Sequence, residues 1–393
     1  MSPNAPAEIV AAPTLSEVEA YALAHNPDLT IARIQVDSAR GERRIARSLP
    51  NPTFTIAPGS PFQYSVTQPI DVGPSRLYRT RAAGQGIAGV QLDQANVRRQ
   101  VVFAVRQGYL DLLLAEATRV VAFEQDTIVR RLLLADSLRF LEGDLAQRDL
   151  STTELQFAHA DASLARAEAG VRGARISLQV LMGVTHPDTA FRVTGALDYR
   201  SIDLPPALAS DSSRVEMLAA RADIGAAQAR VQQSQSLRAL ATSQLWPVPG
   251  VAAVYQPAPF ESGSHYAIGA SFSLPVLYWF GGERTRATAG VQSALVAQQR
   301  TLTAAEGELV AARDNFYAAQ TLAARYAGGL LETARKALDM QRFAYEHGNA
   351  SLLDLLNAIN AFGDTRTDYY TAVHDYLMSA YAIDRAIGRD IIP

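Results

Sequence analysis

The sequence predicts a mainly α-helical chain that contains two internal repeats, each with one β-hairpin. Three observations support this: the placement of proline, segments that recur at a constant spacing, and short segments in which apolar and small residues alternate. Proline is absent from residues 75–186 and 276–392, and it is disfavoured inside helices because it lacks an N–H donor. Both stretches are rich in Ala, Leu, Gln, Arg and Glu, the strong helix formers. We therefore expect both to be helical.

The helices in these stretches are expected to be long. Apolar residues recur at helical spacing, as at Val97, Val101 and Val105, which indicates a helix with one buried face. A continuous helix from Arg76 to Gly143 would reach about 100 Å, at about 1.5 Å per residue. This length exceeds that of an ordinary globular helix and predicts a coiled-coil tube or rod.

The two helical stretches are also copies of each other. The offset between matching segments is about 205 residues each time, and a constant offset indicates an internal duplication. The matching segments are Arg106–Tyr109 with Arg313–Phe316, Gly143 with Gly348, and Gly183 with Gly388.

Domain organisation follows from these repeats. Each repeat is expected to contain a leading helix, a β-hairpin and a long helical hairpin that turns at a glycine. The expected parts are an N-terminal extension (1–13), a first repeat (14–187, leading helix Leu15–Arg47, β-hairpin about 49–71, turn near 143), a connecting segment (188–206) and a second repeat (207–393, leading helix Leu208–Leu237, β-hairpin about 243–277, turn near 348).

The strand predictions depend on alternation. Residues Tyr266–Leu274 alternate between apolar and small or polar side chains, which is the two-residue period of a strand with one apolar face. Its partner is expected within Ser243–Gln256. In the first repeat, strands are expected at Phe54–Ile56 and Phe62–Val66.

Strands of about ten residues are long enough to span a bilayer. Two hairpins cannot close a barrel alone, and open strand edges are not tolerated in lipid. Two alternatives follow: the hairpins pack on soluble helices, or several chains pool them into a membrane barrel. In the second case Tyr278, Trp279 and Phe280 would lie at the membrane interface, where aromatic side chains are frequent.

Composition and motifs exclude several classes of function. The formal net charge of −3 offers no basic footprint for nucleic acid. There are no cysteines, and the six histidines lack the spacing of metal ligands. No nucleophile elbow, P-loop or dinucleotide fingerprint is present, so neither an enzyme nor a bound cofactor is expected. Residues 1–13 lack the regions of a secretion signal; because the rest of the chain looks exported, we expect the sequence to represent a mature form.

Several short motifs, in order along nearly the whole chain, resemble those of the TolC family of outer-membrane efflux proteins. The stretch with Gln68-Pro69 and Arg76 looks most like the heavy-metal efflux branch of that family. The motifs are Ala22-Leu-Ala-His-Asn-Pro-Asp-Leu29, Leu49-Pro-Asn-Pro52, Thr67-Gln-Pro-Ile-Asp71, Leu274-Pro275 with Gly281-Gly-Glu-Arg284, and Tyr345-Glu-His-Gly348 with Ser351-Leu-Leu-Asp-Leu-Leu-Asn-Ala358.

The resemblance implies a homotrimer located in the bacterial outer membrane and extending into the periplasm. Each chain would give four strands to a 12-stranded β-barrel, in contact with outer-membrane lipid, and its long helices to a periplasmic α-helical barrel. Residues 188–206 and the termini would form a belt around this tube. The implied function is a passive exit duct for small molecules or metal ions. A periplasmic adaptor protein and an inner-membrane pump, expected to be of the RND type, would deliver the substrate. The alternatives are a conduit for type I protein secretion and a soluble coiled-coil scaffold.

Asp354 is the candidate gate residue. The resemblance places an acidic residue at this distance from the turn glycine, lining the closed periplasmic tip. Threefold symmetry would make a ring of carboxylates, a natural gate for cations. Asn357 lies one helical turn further along on the same face. The alternative is that Asp354 is an early-helix acid favoured by the helix dipole.

The two helix turns are the candidate contacts with the adaptor, against the alternative of ordinary turn chemistry. Arg76 and Arg284 follow the strand exits. They are expected either to anchor the strand–helix junction, by pairing with carboxylates or carbonyls, or to be solvated. The candidate adaptor residues are Arg139, Gly143, Asp144, Leu145 and Asp149 in the first turn, and Gly348, Asn349, Ala350 and Ser351 in the second.

Overall fold

The computed structural model describes residues 12–59, 62–71, 73–204, 218–257, 263–273 and 275–390. Several expected features lie outside them: most of the N-terminal extension, both hairpin tips, residues 205–217 and Leu274. The chain is mostly helical, as predicted. Its elements are α1 (Leu15–His25), α2 (Pro27–Arg47), β1 (Thr53–Ala57), β2 (Gln63–Pro69), α3 (Pro74–Glu142), α4 (Gln147–Met182), α5 (Ala222–Ser243), β3 (Val248–Gln256), β4 (His265–Ser273), α6 (Gly281–Arg325), a π-helical turn (Tyr326–Leu330), α7 (Leu331–Glu346) and α8 (Leu352–Ile387).

The first leading helix, which was expected to be continuous, is divided at Asn26. Pro27 is the first residue of α2, where its missing N–H is not needed, but it prevents α1 from continuing. Oδ1 of Asn26 accepts hydrogen bonds from the backbone N–H groups of Asp28 (2.8 Å) and Leu29 (3.4 Å). The amide of Asn26 donates to the carbonyl of Leu181 at 2.8 Å. Asn26 therefore caps α2 and ties the break to the end of α4.

The strands form one antiparallel sheet in the order β1-β2-β3-β4. Its register determines where the helices attach. In each of the three strand pairings, the two residues paired at one end both lie next to a connection to a helix. All four strand–helix connections are therefore at the same end of the sheet. We call this the helix end of the sheet. The pairs that define it are Thr53 with Thr67, Pro69 with Gly250, and Val248 with Ser273.

Large apolar side chains are exposed on this sheet. In β4, Tyr266 is 80% exposed, Ile268 87% and Phe272 64%. The side chains between them, such as Ala267, are exposed as well, so neither face of β4 is covered within the chain. Burying such residues would be favourable by about 25 cal/mol per Å² of apolar surface, so an uncovered apolar face points to a membrane or a partner.

The chain divides into two compact units, and each contains parts of both expected repeats. The unit that carries the sheet comprises Ile31–Asn96 and Leu218–Ala305. In it α3 and α5 approach closely because small residues line their contact; a Cβ on Gly89 would lie 3.6 Å from that of Ala229. Arg230 and Asp93 form an ion pair across the same contact at 2.5 Å.

The other unit comprises Met1–Thr30, Val97–Met217 and Glu306–Pro393. Its core includes the fully buried Phe316 and Tyr376, whose rings lie 5.3 Å apart. The described part of the connecting segment, 188–204, has no regular secondary structure. It is held through its backbone, because the N–H of Ile202 donates to the Tyr376 hydroxyl (2.7 Å) and the Tyr109 hydroxyl donates to the carbonyl of Thr194.

Among the described helices, none combines the length and the hydropathy required to cross a membrane.

Candidate functional site

Both helix turns end in the same backbone arrangement. Gly143 has φ +86° and Gly348 has φ +75°, a conformation that glycine adopts without the steric cost of a side chain. In the first turn the N–H of Asp144 donates to the carbonyl of Arg139 at 2.8 Å, and in the second the N–H of Asn349 donates to that of Ala344 at 2.8 Å. These are Schellman motifs, which satisfy the last carbonyls of a helix.

Asp354 is held in a capping box at the start of α8. Its Oδ2 accepts hydrogen bonds from the hydroxyl (2.6 Å) and the backbone N–H (3.1 Å) of Ser351. In return the N–H of Asp354 donates to the Ser351 hydroxyl at 3.2 Å. The bonds from the side chain and the backbone of Ser351 hold the pKa of the exposed Asp354 carboxyl below its ordinary value. The residue therefore has the helix-start role of the alternative interpretation, and it remains an exposed anion.

The matching acid of the first turn has a different environment. Asp149, like Asp354, is the third residue of its helix, but the N-cap of α4 is Ala146, which has no side-chain acceptor. Asp149 is half-buried and pairs with Arg148 at 3.2 Å. The exposed, capped carboxylate is thus a feature of the second turn.

A polar face of α8 continues from Asp354. Asn357 is exposed one turn further on. Asp364, two turns beyond Asn357, and Asp368, one turn beyond Asp364, are exposed on the same face. The opposite side of the helix carries the buried Leu356. Asp364 and Asp368 were not predicted as candidate residues from the sequence, although their spacing from Asp354 indicates a shared helix face. We call these four residues, Asp354, Asn357, Asp364 and Asp368, the acidic face of α8.

A second acid near the turns is buried. Oδ2 of Asp136 accepts a 2.8 Å hydrogen bond from the Thr153 hydroxyl, and its Oδ1 accepts one of 3.2 Å from the Tyr345 hydroxyl. Arg139 donates to that tyrosine hydroxyl at 3.1 Å. The Asp136 side chain is 1% exposed, so these partners compensate for the loss of its hydration. One carboxylate thereby joins α3, α4 and α7.

Sequence reasoning missed the role of Asp136. The signal was an acid within the apolar run Leu132–Leu138, since an acid among core positions requires buried partners. Tyr345 lies in a motif quoted for the family resemblance, but the motif does not reveal its partner. The position that matches Tyr345 in the first repeat is Phe140, which has no hydroxyl, so this tie has no counterpart there.

Apolar packing brings the four helices together beside this tie. Val129 of α3 packs with Leu355, Leu356 and Ile359 of α8. Phe157 of α4 and Leu338 of α7 are among the side chains that border this cluster. The first turn (α3–α4) and the second turn (α7–α8) are therefore parts of one packed bundle, and the candidate adaptor residues lie at its end.

The junction arginines differ from each other. Arg76 donates to the carbonyl of Arg47 at 3.0 Å, which agrees with the anchoring interpretation. Its neighbour Arg79 donates to the carbonyl of Ala46 (3.1 Å) and pairs with Asp71 (2.7 Å). Arg284 is exposed, and its hydrogen bonds to Phe280 (3.1 Å) and Thr288 (2.8 Å) are made by its backbone N–H and carbonyl, which agrees with a solvated side chain.

The three predicted interface aromatics lie between the end of β4 and the start of α6. Tyr278 is 53% exposed and Trp279 65%. Phe280 has φ +51°, an uncommon conformation for a residue with a side chain. Trp246, between α5 and β3, is 68% exposed and belongs to the same helix end of the sheet.

The π-helical turn was not foreseen. Gly329 in this turn has φ +128°, and the pair Gly328-Gly329 was its sequence signal. The turn borders a cavity of about 730 Å³ that is also lined by Tyr199, Arg366 and Tyr370. Interruptions of this kind are frequent at functional sites.

Comparisons with known proteins agree with this architecture. The chain is 26% identical over 402 residues to the cobalt-zinc-cadmium resistance protein CzcC of Cupriavidus metallidurans, covering 99% of this chain and 93% of that protein. Its fold is similar to that of the CmeC outer membrane channel of Campylobacter jejuni (TM-score 0.83, 19% identity, 95% of this chain and 85% of that one). It is also similar to the outer membrane protein VceC of Vibrio cholerae (TM-score 0.79, 19% identity, 95% and 96%).

Residues 20–184 and 214–389 match the model of the family described as outer membrane efflux protein. This is a family of channels and not of enzymes. The match confirms the resemblance stated from the sequence motifs, and together with CzcC it agrees with the heavy-metal branch. The chain belongs to the outer membrane efflux protein family.

Proposed function

We propose that three copies of this chain form the outer-membrane exit duct of a tripartite efflux pump. The observation that carries the proposal is the four-stranded sheet, which has exposed apolar side chains and two open edges. Within the described residues, β1 pairs only with β2 and β4 only with β3. Open edges expose unpaired N–H and C=O groups, and lipid cannot satisfy them.

Pooling the sheets of three chains would remove these edges. Three sheets of four strands make a closed 12-stranded barrel, a size within the range of outer-membrane barrels. The helix end of each sheet would then face the periplasm, where the long helices continue as an α-helical barrel. The matching backbone of Gly143 and Gly348, and of Gly183 (φ +83°) and Gly388 (φ +79°), supports an origin by duplication.

The acidic face of α8 is proposed to line the duct. Threefold symmetry would repeat its carboxylates around the axis, with Asp354 and Asn357 nearest the periplasmic tip. Rings of carboxylates favour cations. The similarity to CzcC, a cobalt-zinc-cadmium resistance protein by name, makes divalent metal ions the proposed cargo, as substrates that pass through and not as resident cofactors.

The bundle end that carries both turns is the proposed docking site of a periplasmic adaptor, which would connect the duct to an inner-membrane pump of the RND type. The turn residues Gly143, Asp144, Gly348 and Asn349 are all exposed. Small side chains at such a tip allow two helical hairpins to approach closely. The duct itself would supply neither energy nor chemistry.

Two substitutions in β4 test the membrane assignment. Ile268 and Ala267 are neighbours on opposite faces of the strand, and both are exposed in the single chain. In a barrel only one face meets lipid. Ile268→Arg should therefore destabilise the barrel in the membrane by about 2–4 kcal/mol and abolish insertion. Ala267→Arg, in the water-filled lumen, should be tolerated.

The measurement is ion conductance after reconstitution into planar bilayers, with trimer content from gel filtration in detergent. We expect conductance from the wild type and from Ala267→Arg but not from Ile268→Arg. Equal behaviour of the two variants, or a wild type that is monomeric and monodisperse without detergent, would refute the duct and favour a soluble scaffold.

A further inference from the structure

Arginine marks both boundaries of both strand segments. The sequence contains no lysine or arginine between Arg47 and Arg76, or between Arg238 and Arg284. Positive charge then begins immediately in the flanking helices. Because the register places all four connections at the helix end of the sheet, these charges gather at that end.

Apart from Arg40, which pairs with Asp37, seven arginines of the flanking helices are exposed and lie within about two helical turns, roughly 11 Å, of the junction. They are Arg43, Arg44 and Arg47 of α2, Arg81 of α3, Arg238 of α5, and Arg284 and Arg286 of α6. We call them the arginine band. In the part of the chain that the structure describes, no carboxylate lies within ion-pair distance of Arg43, Arg44, Arg47 or Arg284. By contrast, Arg76 and Arg79 donate hydrogen bonds to carbonyls at the end of α2, and Arg79 also forms an ion pair with Asp71.

The band is one of three layers along the chain. Exposed apolar side chains occupy the strands, as at Ile268. Exposed aromatic residues follow at the helix end of the sheet, as at Trp246 and Trp279. Arg284 and Arg286 come next. A bilayer has the same order: acyl chains, an interfacial region that favours Trp and Tyr, and headgroup phosphates about 5–8 Å beyond the hydrocarbon core.

We propose that the arginine band binds the phosphate groups of anionic phospholipid headgroups in the periplasmic leaflet of the outer membrane. The proposal rests on the membrane location proposed above. A guanidinium group donates two parallel hydrogen bonds to a phosphate, which makes arginine suited to this contact. The opposite end of the sheet has no matching charge, since its described residues include Gln63, Gln256 and His265 but neither lysine nor arginine. The band would thus fix the depth and direction of the sheet in the bilayer.

The test uses the full-length protein in a neutral detergent, equilibrated with phosphatidylglycerol or with phosphatidylcholine. Lipid phosphorus per protein is measured after gel filtration. The neutral variants are the triple change Arg43→Gln, Arg44→Gln, Arg47→Gln and the double change Arg284→Gln, Arg286→Gln. A triple Arg→Lys variant at residues 43, 44 and 47 keeps the charge. The matched control is Arg131→Gln with Arg172→Gln, two exposed arginines on α3 and α4 outside the sheet unit.

Each arginine beside an anionic surface contributes roughly a fivefold gain in association. We therefore expect the neutral triple variant to bind phosphatidylglycerol more than about tenfold less than the wild type, with the matched control near the wild type. The lysine variant should bind with an affinity between these two, because it keeps the charge but loses the paired hydrogen bonds. Equal binding of the two lipids by the wild type, or undiminished binding by the neutral variants, would overturn the proposal. Displacement of the lipid by inorganic phosphate alone would overturn the assignment to a headgroup. A wild type that conducts but does not discriminate lipids refutes only this inference, whereas one that never conducts refutes the duct.

Discussion

The hydroxyl of Tyr345 donates a 3.2 Å hydrogen bond to Oδ1 of Asp136, a carboxylate that is almost completely buried. This contact joins the helix that leads into the second turn to the helix that leads into the first. Burial raises the pKa of the Tyr345 hydroxyl, and the negative charge of Asp136 raises it further, so the tyrosine stays a donor at neutral pH. The contact links the two helical hairpins by chemistry and not only by apolar packing.

Tyr345→Phe should remove this link with little change in shape. Asp136 would keep the hydrogen bond from Thr153 but lose the one from Tyr345. Losing a hydrogen bond to a buried acceptor lowers the free energy of unfolding by about 1–3 kcal/mol. The midpoint of thermal unfolding in detergent, followed by circular dichroism, is expected to fall. The matched control is Tyr326→Phe, whose hydroxyl makes a longer, exposed bond of 3.4 Å to Asp368 and should change the midpoint little. An equal effect of the two changes would contradict a special role of the Asp136 contact.

Asp354 combines a cap and a charge, and two substitutions separate these roles. Asp354→Ala removes both, so single-channel conductance should rise, or block by divalent cations should weaken, because a ring of carboxylates at the tip is lost. Ser351→Ala removes the bonds that the hydroxyl exchanges with Asp354, which costs about 1 kcal/mol, but keeps the carboxylate. Its cation block should therefore stay near that of the wild type. If both variants lose the block equally, the capping box and not the charge determines it.

The turn glycines should differ in their tolerance of a side chain. A Cβ on Gly143 or Gly348 would meet no atom within 4 Å, whereas on Gly183 it would lie 2.5 Å from the carbonyl oxygen of His25. Alanine at the first two positions should therefore cost only the left-handed backbone, about 1–2 kcal/mol. Gly183→Ala adds a clash with backbone and should cost about 2–5 kcal/mol. Thermal unfolding of the three variants measures this order, and equal losses would contradict it.

The open space around Gly348 permits a test of adaptor docking. Gly348→Asn, which suits the left-handed conformation, should preserve efflux, because asparagine tolerates positive φ. Gly348→Trp adds a large side chain to an exposed tip and should abolish efflux by blocking the approach of the adaptor. Trimer yield in detergent is the control and should be similar for both. Wild-type efflux by Gly348→Trp would argue against docking at this turn.

Much of the helical fold could be predicted because proline and glycine act locally. Pro27 explains the break after α1 once Asn26 is recognised as a cap, and the Gly328-Gly329 pair marks the π-helical turn. In contrast, the Asp136–Tyr345 contact joins residues far apart in sequence, and alternation within single strands does not reveal that β2 pairs with β3. The register between the hairpins, and hence the gathering of arginines at one end of the sheet, required the structure.

The position of Asp354 at the start of the helix after the second turn was predictable, but the environment of its carboxylate was not. The spacing from Gly348 identified Asp354, and the structure adds that Ser351 holds it in a capping box, because the hydroxyl lies one helical turn before the carboxylate. Asp149 occupies the matching position, but Ala146 cannot cap it. A single-residue difference in the N-cap therefore gives the two turns different electrostatics.

His374 provides a prediction of pH dependence. Nε2 of His374 lies 2.8 Å from Asp111 of α3, and Nδ1 lies 3.0 Å from Asp375. Burial lowers the pKa of His374, but the hydrogen bonds and charges of Asp111 and Asp375 outweigh burial, so the net direction is above the ordinary value of 6.5. The protonated ring thus favours the folded state. Its stabilisation is complete below about pH 6.5 and is lost as the pH rises through the raised pKa.

The thermal midpoint of the wild type should therefore exceed that of His374→Gln most at about pH 5.5, and the difference should shrink by about pH 8.5. Comparing the two proteins at each pH cancels the titration of the groups they share. His159→Gln, at an exposed position of α4, is the control and should follow the wild type throughout. A difference that grows with rising pH would mean that the neutral ring is the form favoured by folding, and the contact with Asp111 would then have no stabilising charge.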